Sequence, residues 1–414
     1  MTAEDTPAAP SAAIVTVGTE LVEGLRLDTN SHEIASALSI HGYRVRETRS
    51  IGDDIDLLAS ALRELLGEHD LVVVTGGLGP THDDITREAA ALALGVPLEV
   101  RPELLGRLER LAVRHRDPSA REQVLLQAHA LRDARVIEAT SGTAPGQVAT
   151  APDGGVLLLL PGPPHELRPM LTAFLEEGSA SRPRPRQLSC VGISESDAQV
   201  TAAAALSAHP GVALTVLASP GLVSVVLIDD GADEAGLEAA VVAVSAALGP
   251  VCYSTTGESL AAAVIHSATE KGITIATAES CTGGLVSAAL TSVPGSSQVF
   301  RGGFVTYSDE TKSLLAGVGR NTLQAHGAVS AETARELASG VRERLAADIA
   351  VAVTGIAGPS GGSADKPVGL VWFAAETSHG SRTEKKHFFG DRDGVRRRAT
   401  VFALDLLRRT IERM

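Results

Sequence analysis

Short apolar runs that empty into glycine-rich turns set the architecture of this chain. Residues 13–17, 71–74 and 156–160 are such runs, and residues 273–277 and 349–353 repeat the pattern nearer the C-terminus. Strands that are apolar on both sides must be covered on both faces. Between them, Ile55, Leu58, Leu62 and Leu65 fall at helical spacing behind Asp53 and Asp54, which can cap. Strands alternating with helices predict mostly parallel sheets sandwiched between helices. The turns carry information too. Residues 72–81 read VVVTGGLGPT and residues 351–360 read VAVTGIAGPS, yet their flanks do not repeat. Shared loop chemistry, rather than duplication, accounts for the echo. Loops at the carboxyl ends of parallel strands are where such sheets bind ligands.

A length of 414 residues exceeds one ordinary core, so several domains are expected. Residues 1–11, rich in Ala and Pro, read as a flexible tail, and 178–186 (GSASRPRPR) as a linker with nothing to bury. They delimit domains at 12–177, 187–254 and 255–414. The middle one reads strand, helix, strand, strand, helix, strand, with adjacent strands at 212–217 and 222–228 joined by Ser219, Pro220 and Gly221. That order suits a small split βαβ spacer. The last block opens on a helix holding Leu260, Val264, Ile265 and Ala268, adds strands at 368–373 and 386–389, and closes on a helix over 391–414. The predicted fold class is α/β: two three-layer α/β domains with mostly parallel sheets flanking a small α+β domain.

Composition excludes some functions. Lys plus Arg number 36 against 50 Asp plus Glu, a formal charge of -14, and aromatics are 3%. Nucleic acid is therefore not an expected partner, since phosphate tracking needs clustered cations and base stacking needs aromatics. No apolar run is expected to reach the roughly 18 residues of a membrane span. The first eleven residues lack the Lys or Arg that opens a signal peptide. Cys190, Cys252 and Cys281 are odd in number and far apart, giving neither a disulfide framework nor zinc spacing. A reducing compartment, the cytoplasm, is predicted.

Three corners in the last block point to a small-molecule pocket. AESCTGG, residues 278–284, puts Ser280 and Cys281 on a turn and opens a helix with Thr282, Gly283 and Gly284. Unpaired helix-start amides can seat a phosphate or an oxyanion, although a glycine turn also simply packs. Residues 304–308 form a strand with a polar end, and Lys312 follows one helical turn later. A lysine near a serine can take its proton once burial lowers its pKa. Tyr307 is an assisting donor or a sheet-edge tyrosine. The third corner holds Thr354, Gly355, Ala357 and Gly358. A phosphate seat is expected at Thr282, Gly283 and Gly284 or at Ser296 and Ser297, with Arg392 and Arg396 reaching over from the last helix. These arginines suit a solvated helix face equally well.

The first block has matching corners. Gly76, Gly77, Gly79 and Thr81 form a loop whose amides can line a phosphate. Asp83 and Asp84 can hold a divalent cation through oxygen, or cap the helix at 85–94. Glu20, Asp28 and Asn30 stand on a second corner, and His165, within LPGPPHE, on a third.

AESCTGG, GGFVTYS with Lys312, VTGIAGPSGG, KPVG and GDRDGVRRRA follow one another along residues 258–399. Together they resemble the C-terminal domain of the CinA-type competence/damage-inducible family, a nicotinamide-nucleotide amidase domain. The resemblance implies cofactor-free hydrolysis of nicotinamide mononucleotide to nicotinic acid mononucleotide and ammonia. It places the nucleophile at Ser280, the base at Lys312 and assistance at Tyr307. On chemistry alone Cys281 stays open as nucleophile, because with Glu279 and Lys312 it imitates a Cys-Glu-Lys amidase. TGGLGPTHDD and LPGPPHE, within residues 14–166, resemble the family's molybdopterin-binding-like N-terminal domain. That implies metal-dependent hydrolysis of ADP-ribose (Mg, Mn or Co, held by Asp83 and Asp84), with Glu20, Asp28, Asn30 and His165 in the pocket. Where members often carry Lys-Gln before the GTAPG turn, this chain has Glu122-Gln123, an anion that weakens pyrophosphate binding. A nucleotide- or pterin-binding scaffold without turnover is the other reading of this domain. Both terminal domain types imply a homodimer with nucleotide substrates.

Overall fold

The structure is a computed structural model describing residues 9–113, 116–139, 141–177 and 184–414. Residues 1–8 of the expected tail and 178–183 of the expected linker lie outside the described residues. The chain forms two compact units, 1–185 and 186–414.

The first unit is built on a sheet of six strands. β1 (Ser11–Val17), β2 (Arg44–Ile51), β3 (Leu71–Thr75), β6 (Arg135–Ile137), β7 (Gly146–Thr150) and β8 (Val156–Leu160) take the order β2-β1-β3-β8-β7-β6. β4 (Leu98–Val100) and β5 (His129–Leu131) form a separate antiparallel pair. β2, β1, β3 and β8 run parallel, while β7 and β6 are antiparallel additions at one edge. Successive strand side chains alternate faces, so the apolar runs fill two cores at once. Ala13, Val15, Val72, Val74, Leu157 and Leu159 pack on one side. Ala12, Ile14, Leu71, Val73, Leu158 and Leu160 pack on the other. Asp54 caps the helix Ile55–Glu68 through the Leu57 amide at 2.9 Å. Asp53 instead accepts from Thr19.

The second unit carries two sheets. β9 (Arg186–Val191), β10 (Val212–Ser219), β11 (Leu222–Asp229) and β12 (Cys252–Ser254) form an antiparallel sheet, order β10-β11-β9-β12, covered by the helices Glu195–Leu206 and Glu234–Leu248. This is the split βαβ arrangement. The stretch Glu234–Val251 has a mean hydropathy of 1.4 over 18 residues, so an apolar run of membrane-spanning length does exist. Its Leu237, Ala240, Val241, Val244 and Leu248 are buried against the sheet, and 28% of the stretch is buried in all.

β13 (Ile275–Glu279), β14 (Phe300–Val305), β15 (Ile349–Gly355), β16 (Leu370–Thr377) and β17 (Gly380–His387) make the last sheet, order β14-β13-β15-β16-β17. Its first three strands are parallel, and β16 and β17 are antiparallel additions. β17 begins earlier than the expected strand at 386–389. It is a polar, largely exposed edge strand, so no apolar run announces it. Helices cover both faces.

Candidate active site

β13 ends at Glu279, and the amide of Ser280 extends its pairing by donating to the carbonyl of Val353 at 2.9 Å. Beside it, Thr306 donates its amide to Glu279 O at 2.7 Å just beyond β14. Ser308 then caps the helix Asp309–Ala316 in a capping box with Thr311. Helical side chains lean toward the N-terminus. Lys312, in the first turns, therefore runs back toward the strand end. Its Nζ lies 3.3 Å from Ser280 Oγ, 3.0 Å from Thr306 O and 3.4 Å from Tyr307 O. Only 1% of this lysine is exposed. Desolvation pushes its pKa below the ordinary lysine range, against an opposing pull from Asp309.

That coordination admits two protonation states. An ammonium donates three N–H bonds to the hydroxyl and the two carbonyls. A neutral amine donates two to the carbonyls and turns its lone pair to the hydroxyl, which becomes the donor. In the second state the amine is placed to take the hydroxyl proton.

Ser280, Cys281, Tyr307, Lys312, Thr354, Gly355, Ala357, Gly358 and Arg392 line one cavity of about 270 Å³. Thr354 is fully buried, and its hydroxyl donates to Ala328 O at 2.7 Å, fixing the floor. Cys281 is 5% exposed, and burial pushes its thiol up to about 12. A buried thiol with so little thiolate is a poor nucleophile.

Four expected roles are corrected. Tyr307 does not touch the pair through its side chain: its hydroxyl accepts from Arg392 at 2.7 Å, and only its backbone carbonyl reaches Lys312. Thr282, Gly283 and Gly284 do not present free helix-start amides to the cavity. The carboxylate of Glu279, 1% exposed, already accepts from the amides of Gly284, Val286 and Ser287. It occupies the seat an external anion would take. Ser296 and Ser297 lie on a separate 3₁₀ turn and do not line the cavity. Arg396 is also no ligand group, because its guanidinium donates to Cys281 O and Thr282 O and so clamps the turn. Arg392 alone of the two arginines reaches the cavity, tied to Gly358 O at 2.8 Å.

The first unit has a larger cavity, about 560 Å³, at the carboxyl ends of its parallel strands. Glu20, Asp28, Asn30, Gly76, Gly77, Gly79, Asp84 and His165 line it. The glycines are dictated by packing. A Cβ on Gly76 would stand 2.4 Å from Val17 O, and one on Gly77, at φ +63°, 2.3 Å from Thr86 Oγ1. Asn30 donates to Gly162 O at 2.7 Å, and Asp28 accepts from the Ser31 amide at 3.0 Å.

Asp83 and Asp84 do not fit a preformed cation pair. Asp84 accepts from the amides of Gly79 and Thr81 and from the Thr81 hydroxyl, at 2.7, 2.7 and 2.6 Å. Asp83 does not line the cavity and faces His82. Neither caps the following helix, whose N-cap is Ile85. Thr81 is likewise part of this loop and not of the lining. Among the described residues, the His/Cys/Asp/Glu group close enough to share an ion is Glu47, Glu68 and His69, outside the cavity. Glu122 does not line the cavity either. Sequence reasoning passed over Glu166, which lines it with a carboxyl raised by burial. Its place in LPGPPHE was the available signal.

Residues 257–411 match the family model described as CinA C-terminal domain, and residues 13–180 match that of a probable molybdopterin binding domain. The chain is 42% identical to a competence-damage inducible protein of Symbiobacterium thermophilum, over 96% of this chain and 98% of that one. It is 36% identical to a CinA-like protein of Fervidobacterium nodosum, over 97% and 98%. A solved structure, the competence/damage inducible protein CihA from Agrobacterium tumefaciens, is 44% identical over 37% of this chain and 93% of that one, with a TM-score of 0.36. This chain belongs to the CinA-like, competence-damage inducible family.

Proposed function

We propose that the C-terminal domain is a serine amidase that hydrolyses nicotinamide mononucleotide to nicotinic acid mononucleotide and ammonia. The observation carrying this reading is the enclosed contact of Lys312 Nζ with Ser280 Oγ at 3.3 Å. Neutral Lys312 takes the hydroxyl proton as Ser280 Oγ attacks the carboxamide carbon. The tetrahedral intermediate collapses, and the nitrogen leaves as ammonia with the proton that Nζ returns. Water, deprotonated by the same amine, then releases the acid from Ser280. The carbonyls of Thr306 and Tyr307 keep Nζ aimed throughout. Arg392, the cationic group on the cavity wall, is the partner for the nucleotide's phosphate.

No step in this scheme needs a cation. The full chain incubated with nicotinamide mononucleotide and EDTA is expected to release ammonia and nicotinic acid mononucleotide. Unchanged substrate, or equal turnover by Ser280→Ala, contradicts the reading.

The first unit is read as a binding domain for a phosphate-bearing nucleotide or pterin. What supports this is the commitment of Asp84 to the Gly79–Thr81 loop. ADP-ribose is expected to bind with little cleavage, followed by calorimetry and product analysis with and without Mg²⁺. Stoichiometric AMP and ribose 5-phosphate overturn it in favour of a pyrophosphatase. Whether the chain pairs as a homodimer is read from sedimentation.

A further inference from the structure

The cysteines are placed unequally. Cys281 is buried at the amidase cavity, but Cys190 and Cys252 stand directly opposite one another on the antiparallel pair β9–β12. Opposed residues of an antiparallel pair project from the same sheet face, their Cα atoms about 4.5–5.5 Å apart. A disulfide needs Cα atoms about 4.4–6.8 Å apart, so the strands already satisfy its main demand. Both side chains enter the core beneath the helices Glu195–Leu206 and Glu234–Leu248, Cys190 fully buried and Cys252 half-buried.

Three features favour reaction at this pair. β12 is a short edge strand, and its register with β9 breaks just after Cys252, so local adjustment is easy. Cys252 is the more exposed of the two, half-buried where Cys190 is fully buried. Its thiol is pulled down to about 7 by the neighbouring Cys190 thiol, whose own proton is held more tightly by that contact and by burial. An accessible thiolate beside a buried resolving thiol is the arrangement that peroxide oxidation selects.

We propose that Cys190 and Cys252 are an oxidation site that closes to an intramolecular disulfide with hydrogen peroxide as oxidant. The Cys252 thiolate attacks one peroxide oxygen, the O–O bond breaks, and the departing hydroxide takes a proton to become water. Cys252 is left as a sulfenic acid. Cys190 sulfur, losing its proton, then attacks Cys252 sulfur and expels a second water. Two thiols lose two electrons in all, and one peroxide becomes two waters. The bond fastens β12, from which the chain passes through residues 255–259 into the amidase helix Leu260–Lys271.

The reduced full chain, freed of reductant, is treated with hydrogen peroxide at neutral pH and digested without reduction. A linked peptide pair joining Cys190 to Cys252 is expected, and titratable thiols in the unfolded protein fall from the three of the sequence to one. Cys252→Ser and Cys190→Ala should each abolish the link. Thermal melting of the oxidised wild type should fall on adding dithiothreitol, whereas oxidised Cys252→Ser should not respond. Retention of all thiols, links through Cys281, or links only between chains would overturn the proposal.

Discussion

The two cavities of this chain are built alike and equipped differently. Each lies beyond a buried parallel strand that runs into a Thr-Gly loop ending in Gly-Pro, β3 in the first unit and β15 in the second. Arginines hold the turns of both. Arg87 donates to Leu78 O and Gly79 O, while Arg396 and Arg392 donate to Cys281 O, Thr282 O and Gly358 O. The difference lies in what is left over. In the second unit Glu279 satisfies the helix-start amides, and Ser280 and Lys312 face each other inside a small cavity. In the first, Asp28 and Asp84 accept from their own loops, and Asn30 ties its helix start to Gly162 O. Loop architecture makes both concavities; only the second brings a buried lysine within hydrogen-bond reach of a serine hydroxyl.

The largest expected effect is on the reactive pair. Ser280→Ala should cut turnover of nicotinamide mononucleotide by on the order of 10⁶, the scale of nucleophile loss in serine hydrolases. Cys281→Ala should keep it within a few-fold. A reversal of the two, measured by ammonia release, would erase the contrast drawn between the hydroxyl paired with Lys312 and the thiol held protonated by burial.

Lys312→Met should cost about 10²–10⁴ in kcat, the range for a general base. Sign and direction for pH follow from burial. Only the neutral amine accepts the proton, so kcat/KM should be lost as pH falls through a lysine pKa lying below the ordinary value of 10.5. The unfolded chain keeps that proton up to its higher pKa, so folding stability should rise with pH across the same window. Lys312→Met removes the buried charge and should melt no lower than wild type at neutral pH, despite its lost activity. A flat pH profile, or a large loss of melting temperature, would break the assignment.

In the first unit the effect should be structural. Asp84→Asn withdraws charge-assisted bonds to the Gly79–Thr81 loop and should destabilise that unit by about 1–3 kcal/mol, read by denaturant melts. Ammonia release should be unchanged. The smallest effect is Tyr307→Phe, which removes one hydroxyl acceptor from Arg392 and should raise KM only a few-fold, with kcat preserved. A kcat defect there would return Tyr307 to the reacting pair.

Much of this was legible in the sequence because apolar runs specify buried strands and glycine turns specify corners. The cores around Ile14, Val73 and Leu158 follow directly from those runs. β2 was not marked and β17 was caught only at its end, since Arg44–Ile51 and Gly380–His387 are polar and lie at sheet edges. Lys312 was legible as a residue one turn after a strand, but its burial was not, because nothing local says that a lysine folds inward. The helix-start glycines misled for a reason of the same kind. The anion they attract is Glu279, five residues before Gly284, and only the turn geometry reveals that the seat is taken. Asp84 misled likewise, its partners being the loop itself.

The central claim is that Ser280, made nucleophilic by an uncharged amine, carries the acyl group. Acid quenching during turnover of nicotinamide mononucleotide, followed by peptide mapping, tests it most directly. A nicotinic acid mononucleotide ester on Ser280 Oγ is expected, absent from Ser280→Ala. An adduct on Cys281 sulfur, or ammonia release that survives in Ser280→Ala, would contradict it.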